Sequence, residues 1–190
     1  MKKKFDYLEY FKNLGDLINS DKNLIKKLKI LEKKIIACKK KNKKVMIFGN
    51  GGSAAIASHF AIDLTNAAKI RCQNYSDSSL ITCFSNDYGY ENWIKKTIEN
   101  YADNGDLLIL ISSSGMSENM INAAKQSSIK FSFIATFSGF SKNNIIKKSG
   151  QLSFWVNSKV YNFVENVHQI WLLSIVDSIM NNKKWKKIFL

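Results

Sequence analysis

The chain has 190 residues, 45% of them hydrophobic, and a formal net charge of +14 from 29 basic and 15 acidic side chains. That length and apolar fraction suit one folded domain with a single core, and no apolar stretch reaches the roughly 18 residues that cross a bilayer. The charge invites a nucleic-acid reading, yet Arg71 is the only arginine, and arginine is the residue that reads phosphates and base edges bidentately. The lysines are dispersed, with denser groups at 39–44 and 183–187 that read as solvated faces. Nucleic acid is therefore not the expected partner, whereas the overall field favours small anions such as sugar phosphates.

The basic start, Met1 to Lys4, lacks the apolar core of a signal peptide. Cys38, Cys72 and Cys83 are odd in number and have no metal-type spacing, which fits reduced thiols in a cytoplasmic protein. Phe5, Leu8, Phe11 and Leu14 recur every three residues and predict an amphipathic helix over 5–18. A second helix follows Asp21, a good N-cap, and carries Leu24, Leu28, Leu31 and Ile35 on one face to about Cys38. Alternation then sets in: a strand at 45–48 and a helix from Ser53 to Asn66; a strand at 80–84 and a helix from Tyr90 to Tyr101; a strand at 107–111 and a helix from Ser117 to Gln126. A strand at 131–137, a short helix near 142–148 and a last strand at 152–156 lead into a long apolar helix from Val160 to Met180. Trp155 and Trp171 lie in apolar patterns and predict core or interface positions. Trp185, in the basic tail, is expected to cover a neighbouring subunit.

Near-continuous apolar strands alternating with helices predict an α/β fold: a doubly wound parallel five-stranded sheet covered on both faces. The whole chain, 1–190, reads as one domain. Residues 1–40 form a helical pair that fits no βαβ unit and is expected to pack between subunits; 44–182 form the core and the closing helix. In such sheets ligands bind outside the carboxyl ends of the strands. Two loops fall there. Gly49-Asn50-Gly51-Gly52-Ser53 follows the first strand, and Ser112-Ser113-Ser114-Gly115-Met116-Ser117 follows the third. Glycines let backbone N–H groups approach an anion, serine hydroxyls add donors, and each helix N-terminus adds partial positive charge. A lone loop of this kind is an ordinary turn; the tandem points to a phosphate-bearing small molecule.

Gly49 to Ala55, then His59-Phe60-Ala61 and Leu64-Thr65, resemble the sugar isomerase (SIS) domain family in its phosphoheptose isomerase form, whose pattern is G-N-G-G-S followed by H-F-x-x-E-L. Asn86-Asp87-Tyr88-Gly89 is similar to that family's N-D-x-G, Gly105-Asp106 through Ser117 to its G-D-x-L-x-x-I-S-T-S-G-N-S, and Glu165-Asn166-Val167-His168 to its Q-E-x-H. The resemblance covers about residues 5–180. It implies a flavodoxin-like fold and a cytoplasmic homotetramer with sites between subunits. It implies interconversion of sedoheptulose 7-phosphate and a heptose 7-phosphate, feeding lipopolysaccharide or capsule, with zinc or another divalent metal in many members. Carried onto this chain, Asn50, Gly51, Gly52, Ser53, Ser112, Ser113, Ser114 and Ser117 would form the phosphate and sugar site, with Asn50 and Asp87 on sugar hydroxyls. His59, Asp63 and Glu165 would be the catalytic and metal-binding residues.

Several residues depart from the family pattern. The helix motif H-x-x-x-E is here His59 to Asp63, on one helical face but one methylene shorter. The Gln ligand of the last helix is Glu165, the His eight residues on is Leu173, the Arg after the E-L motif is Ala67, and an Asp before the Gln is Asn162. Isomerisation through an enediol needs a base for a carbon-bound proton and an acid for the carbonyl oxygen. By the resemblance and by elimination, Asp63 is the expected base, oriented by His59, with Glu165 as second carboxylate. His168 is either a hydrogen-bonded interface residue or, with His59, Asp63 and Glu165, part of a rearranged metal site. A non-catalytic phosphosugar-binding or adaptor protein is the alternative function.

Overall fold

The protein is described by a computed structural model that covers residues 4–18, 21–126 and 130–181. The element order is α1 (Tyr7–Ile18), α2 (Lys22–Lys40), β1 (Val45–Gly49), α3 (Gly52–Asn66), β2 (Cys72–Gln73), α4 (Ser78–Tyr88), α5 (Trp93–Tyr101), β3 (Asp106–Ser112), α6 (Glu118–Gln126), β4 (Phe131–Ser138), α7 (Ile145–Lys148), β5 (Leu152–Trp155) and α8 (Tyr161–Ile179). The five strands form one sheet in the order β2-β1-β3-β4-β5 with every pair parallel. That is the flavodoxin-like arrangement expected from the sequence.

The central strands read as unbroken apolar runs because each face of the sheet has its own cover. All of β1 and β3 is buried. Successive side chains alternate: Val45, Ile47, Leu107, Ile109 and Ile111 join α2, α3 and α8, while Met46, Phe48, Leu108 and Leu110 join α5 and α6. Each such side chain contributes about 1.5–3 kcal/mol on burial. At the amino ends of β1 and β3, Lys44 lies 2.6 Å from the fully buried Asp106 and 2.8 Å from Asp103. Asp106 also accepts the Lys44 N–H at 3.0 Å, so the two strands are tied together at the end opposite their loops.

Asp21 caps α2 as expected, its carboxylate accepting the Leu24 N–H at 2.7 Å. The strand expected at 80–84 is a correction: these residues lie in α4. Asp77 caps that helix by accepting the Ser79 and Leu80 N–H groups at 2.9 and 3.1 Å. Leu80, Ile81 and Phe84 form its packed face, leaving Thr82 and Cys83 exposed. The ladder position beside β1 goes instead to the two residues of β2. α5 starts at Trp93 rather than Tyr90, and the short helix near 142–148 contracts to α7 behind the cap Asn144. Cys38 and Cys72 are buried and Cys83 is exposed, all free thiols. Trp171 is buried and Trp155 half-buried; Trp185 and the lysines around it lie outside the described residues.

Candidate phosphate-binding site

After β1 the chain crosses to β2 at the sheet edge, then returns to the other side of β1 as β3. The carboxyl ends of β1 and β3 therefore flank the switch point of the topology, where a crevice must open. Both loops of interest begin there. α3 starts almost at once after β1 because Gly49 has no side chain: a Cβ would collide with the Ser53 backbone. The first loop is locked by the Ser53 N–H donating to the Asn50 carbonyl at 3.0 Å. In the second loop the Gly115 N–H donates to the Ser112 carbonyl at 2.9 Å, and the Ser114 hydroxyl accepts the Met116 N–H at 3.2 Å.

The two loops share one cavity of about 290 Å³, lined by Asn50 to Ser53, Ser112 to Ser114, Ser117, Tyr161 and Glu165. Every loop residue expected to hold phosphate thus lies on one wall system. Ser112 and Ser117 hydroxyls are 3.1 Å apart, and Ser53 and Ser113 hydroxyls 3.3 Å apart. Ser113 donates to Glu165 Oε1 at 3.4 Å, which leaves Ser53 as the donor between the two serines. Glu165 reaches in from α8, and a side chain at Gly52 would run into its carboxylate. That carboxylate sits at the N-terminus of α3, where the helix field favours an anion. A larger cavity of about 590 Å³ lies beside the C-terminal half of α3, between Ile62, Thr65 and Asn74. It has no serine loop and no tandem helix N-termini, so size does not identify the site.

His59 and Asp63 lie elsewhere on α3. Their Nε2 and Oδ2 atoms are 3.3 Å apart, both side chains are nearly half exposed, and His59 Nδ1 is 3.4 Å from the Gln169 amide. Of the three expected catalytic residues, Glu165 alone lines the cavity. Asp87 lies on the exposed end of α4 beside Cys83 and Asn86 and does not line it either. Sequence reasoning passed over Tyr90 and Asn119, which hold Asn50. The Asn50 and Asn119 amides pair reciprocally at 2.9 Å in each direction, and the Tyr90 hydroxyl donates to Asn50 Oδ1 at 3.3 Å. The signal that would have found Asn119 is an asparagine buried in the first turn of a helix that faces the glycine loop.

His168 is fully buried in α8, with Nε2 donating to the Ser138 carbonyl at 3.1 Å and its ring against Phe137. Burial pushes the imidazole down to about 4, against the raising effect of that hydrogen bond, so the ring is neutral at pH 7. It serves the core rather than a ligand. A tetrahedral metal site needs three or four converging donors. Among the described residues no group of three or more His, Cys, Asp and Glu side chains is placed to hold a metal ion. The His59–Asp63 pair supplies two donors, Glu165 is turned to Ser113, and Leu173 offers none. Among the described residues, the expected ligand set does not bring three donors to one point.

A parallel sheet with a serine-rich anion loop and a glycine turn at its switch point is the build of a phosphosugar-binding α/β domain. The SIS-domain family model matches residues 7–130, and the chain belongs to that family. It is 34% identical to a phosphoheptose isomerase of Fusobacterium nucleatum over 145 residues, 73% of this chain and 74% of that protein. It is 40% identical over 109 residues to one of Campylobacter concisus and 45% identical over 92 residues to one of Aliarcobacter butzleri. Those matches cover 54% and 45% of this chain, which spans only 58% and 49% of the two relatives' lengths, about half. In fold, a phosphoheptose isomerase from Francisella tularensis superposes with a TM-score of 0.81 at 21% identity, covering 93% of this chain and 95% of its own. One from Neisseria gonorrhoeae gives 0.81 at 24% identity, covering 90% and 96%. No helix among the described residues is long and apolar enough to cross a membrane.

Proposed function

We propose that the protein is a phosphosugar aldose–ketose isomerase acting on sedoheptulose 7-phosphate, in the route to heptose precursors of lipopolysaccharide or capsule. The observation that carries this reading is the single cavity in which two anion-cradling loops meet the Glu165 carboxylate. The Ser112–Ser117 loop takes the phosphate, with hydroxyls and the N-terminus of α6 as donors. Glu165 takes a proton from C1 of the open-chain ketose. The C1–H bonding pair becomes the C1–C2 double bond, and the C2 carbonyl oxygen takes up the negative charge. The O1 hydroxyl proton then passes to O2, which becomes a hydroxyl, and Glu165 returns its proton to C2, leaving the aldehyde at C1. No electron leaves the sugar and no step runs through a metal. The role of base passes here to Glu165, supported by its place in the cavity lining; His59 and Asp63 lie outside that lining.

A homotetramer belongs to the same reading. It is supported by α1, which buries none of its residues; with Phe5 just ahead of it, Tyr7, Leu8 and Phe11 are at least 61% exposed, an apolar stripe that a subunit contact would cover. A cytoplasmic location follows for an enzyme of phosphorylated intermediates. One observation favours binding without turnover: Leu173, at the position that by resemblance carries the partner acid, moves no proton. Incubation with sedoheptulose 7-phosphate, followed by separation of the heptose phosphates, tests the proposal. Formation of an aldoheptose 7-phosphate supports isomerisation. A ligand-induced rise in melting temperature without product supports the binding protein.

A further inference from the structure

Asn50 is half-buried in the cavity wall, and its hydrogen-bond capacity is almost spent. An amide oxygen accepts two hydrogen bonds and an amide nitrogen donates two. Oδ1 accepts from Asn119 Nδ2 at 2.9 Å and from the Tyr90 hydroxyl at 3.3 Å. Nδ2 donates once, to Asn119 Oδ1 at 2.9 Å. A reciprocal amide pair reads equally well with both groups flipped, so distance alone does not say which atom is oxygen. The Met120 N–H removes that ambiguity. It can only donate, and it lies 3.0 Å from Asn119 Oδ1. Asn119 is 2% exposed, on the first turn of α6, so its orientation is set by the helix backbone and passes to Asn50. One Nδ2 hydrogen of Asn50 is left for a ligand, and no acceptor.

We infer that Asn119 and Tyr90 are positioning residues that make Asn50 a fixed single donor, directed at the oxygen that turns negative during isomerisation. This rests on the isomerase reading and deepens it. A sugar hydroxyl can donate or accept and does not need such a lock. An enediolate oxygen only accepts, and a preset N–H stabilises it without reorganisation at the moment charge appears. Asn50 shares the cavity with Glu165, so donor and base face the same substrate. The lock also reaches the phosphate side, because α6 carries Asn119 and begins just after the serine loop. Orientation of the carbonyl end is thereby set by the helix whose N-terminus meets the phosphate.

The test compares two probes on the full chain. A 6-phosphohexonohydroxamate copies the enediolate of a seven-carbon ketose phosphate; inorganic phosphate reports the serine loop alone. Asn119→Ala is expected to weaken hydroxamate binding by about 10-fold or more, the lower end of what one lost oxyanion donor costs. Tyr90→Phe, a mild change on an exposed side chain, is expected to weaken it about threefold, on the order of one lost neutral hydrogen bond. Inorganic phosphate affinity stays within about twofold in both, as expected where the serine loop is untouched. Wild-type affinity for the hydroxamate in both variants overturns the inference while leaving the isomerase reading standing. A loss shared equally by inorganic phosphate also overturns it, because that marks collapse of the loop. A wild type that neither turns over sedoheptulose 7-phosphate nor binds the hydroxamate removes the isomerase reading and the inference with it.

Discussion

The loop after β1 and the loop after β3 hold equivalent places, each leading a buried strand into a helix at the switch point, but they are built from opposite materials. The first is glycine-rich, and the rest of the chain closes on it: the Glu165 carboxylate stands over Gly52, and Asn119 and Tyr90 take up most of the Asn50 amide. The second is serine-rich, and its Ser114 and Ser117 hydroxyls stay half-exposed in the cavity. On the proposed reading the first loop supplies shape and the reacting groups, and the second supplies attraction for the phosphate. Removing backbone space should damage the first, and removing hydroxyls should damage the second.

The largest effect is expected at Gly49. Gly49→Ala sets a methyl group against backbone that cannot move aside, and a loss of about 3 kcal/mol in unfolding free energy is expected. A denaturation midpoint equal to wild type would show that α3 need not start so close to β1. His168 comes next, because it anchors α8, the carrier of Glu165, behind the serine loop. Its folded pKa, about 4, lies below the ordinary 6.5, so between these values the unfolded chain binds more protons and stability falls as pH falls. At about 1.4 kcal/mol per unit the loss approaches about 3 kcal/mol by pH 4. Urea melts across that range should show the slope in wild type, and His168→Leu should flatten it; equal slopes would place the acid sensitivity elsewhere.

Glu165→Gln should separate the two loops most directly. Turnover is expected to fall about 10²-fold or more, the usual scale of a lost general base. Inorganic phosphate should bind about as well or better, since a nearby negative charge is gone. Asp63→Asn, assayed beside it, keeps most activity in this reading, and the reverse pattern would return the base to Asp63. Ser114→Ala and Ser117→Ala should each weaken phosphosugar binding by about 1–3 kcal/mol, the cost of a lost hydrogen bond to a charged group. Calorimetry that finds both affinities unchanged would take the phosphate out of the second loop. The smallest effect is expected from chelation. With no group of three or more His, Cys, Asp and Glu side chains placed to hold a metal among the described residues, dialysis against a chelator should leave the melting temperature unchanged, and a clear fall would mean that a metal is held.

The fold was legible because its strands are long apolar runs and its helices keep their period. The mistake at 80–84 has a local cause. Leu80-Ile81-Thr82-Cys83-Phe84 has the composition of a strand, and the Asp77 cap just ahead of it carried the better information. β2 was missed because two residues make no periodic pattern. The serine and glycine residues of the site were readable, since their chemistry lies within two contiguous stretches. Asn119 and Tyr90 were not, because their role depends on one amide meeting another 69 positions away. His168 shows the converse: a histidine near a motif suggests chemistry, and its burial against Phe137 gives it a packing role.

The brevity of β2 has a consequence for solubility. An open sheet edge is a template on which another chain can add a strand, and long flat edges invite fibres. This sheet ends in two residues on one side and four on the other, and the longest strands, β3 and β4, lie inside. Short rims of this kind are poor templates for a foreign strand. Exposed helix faces such as the apolar stripe of α1 are therefore the larger surfaces through which copies of this chain can meet.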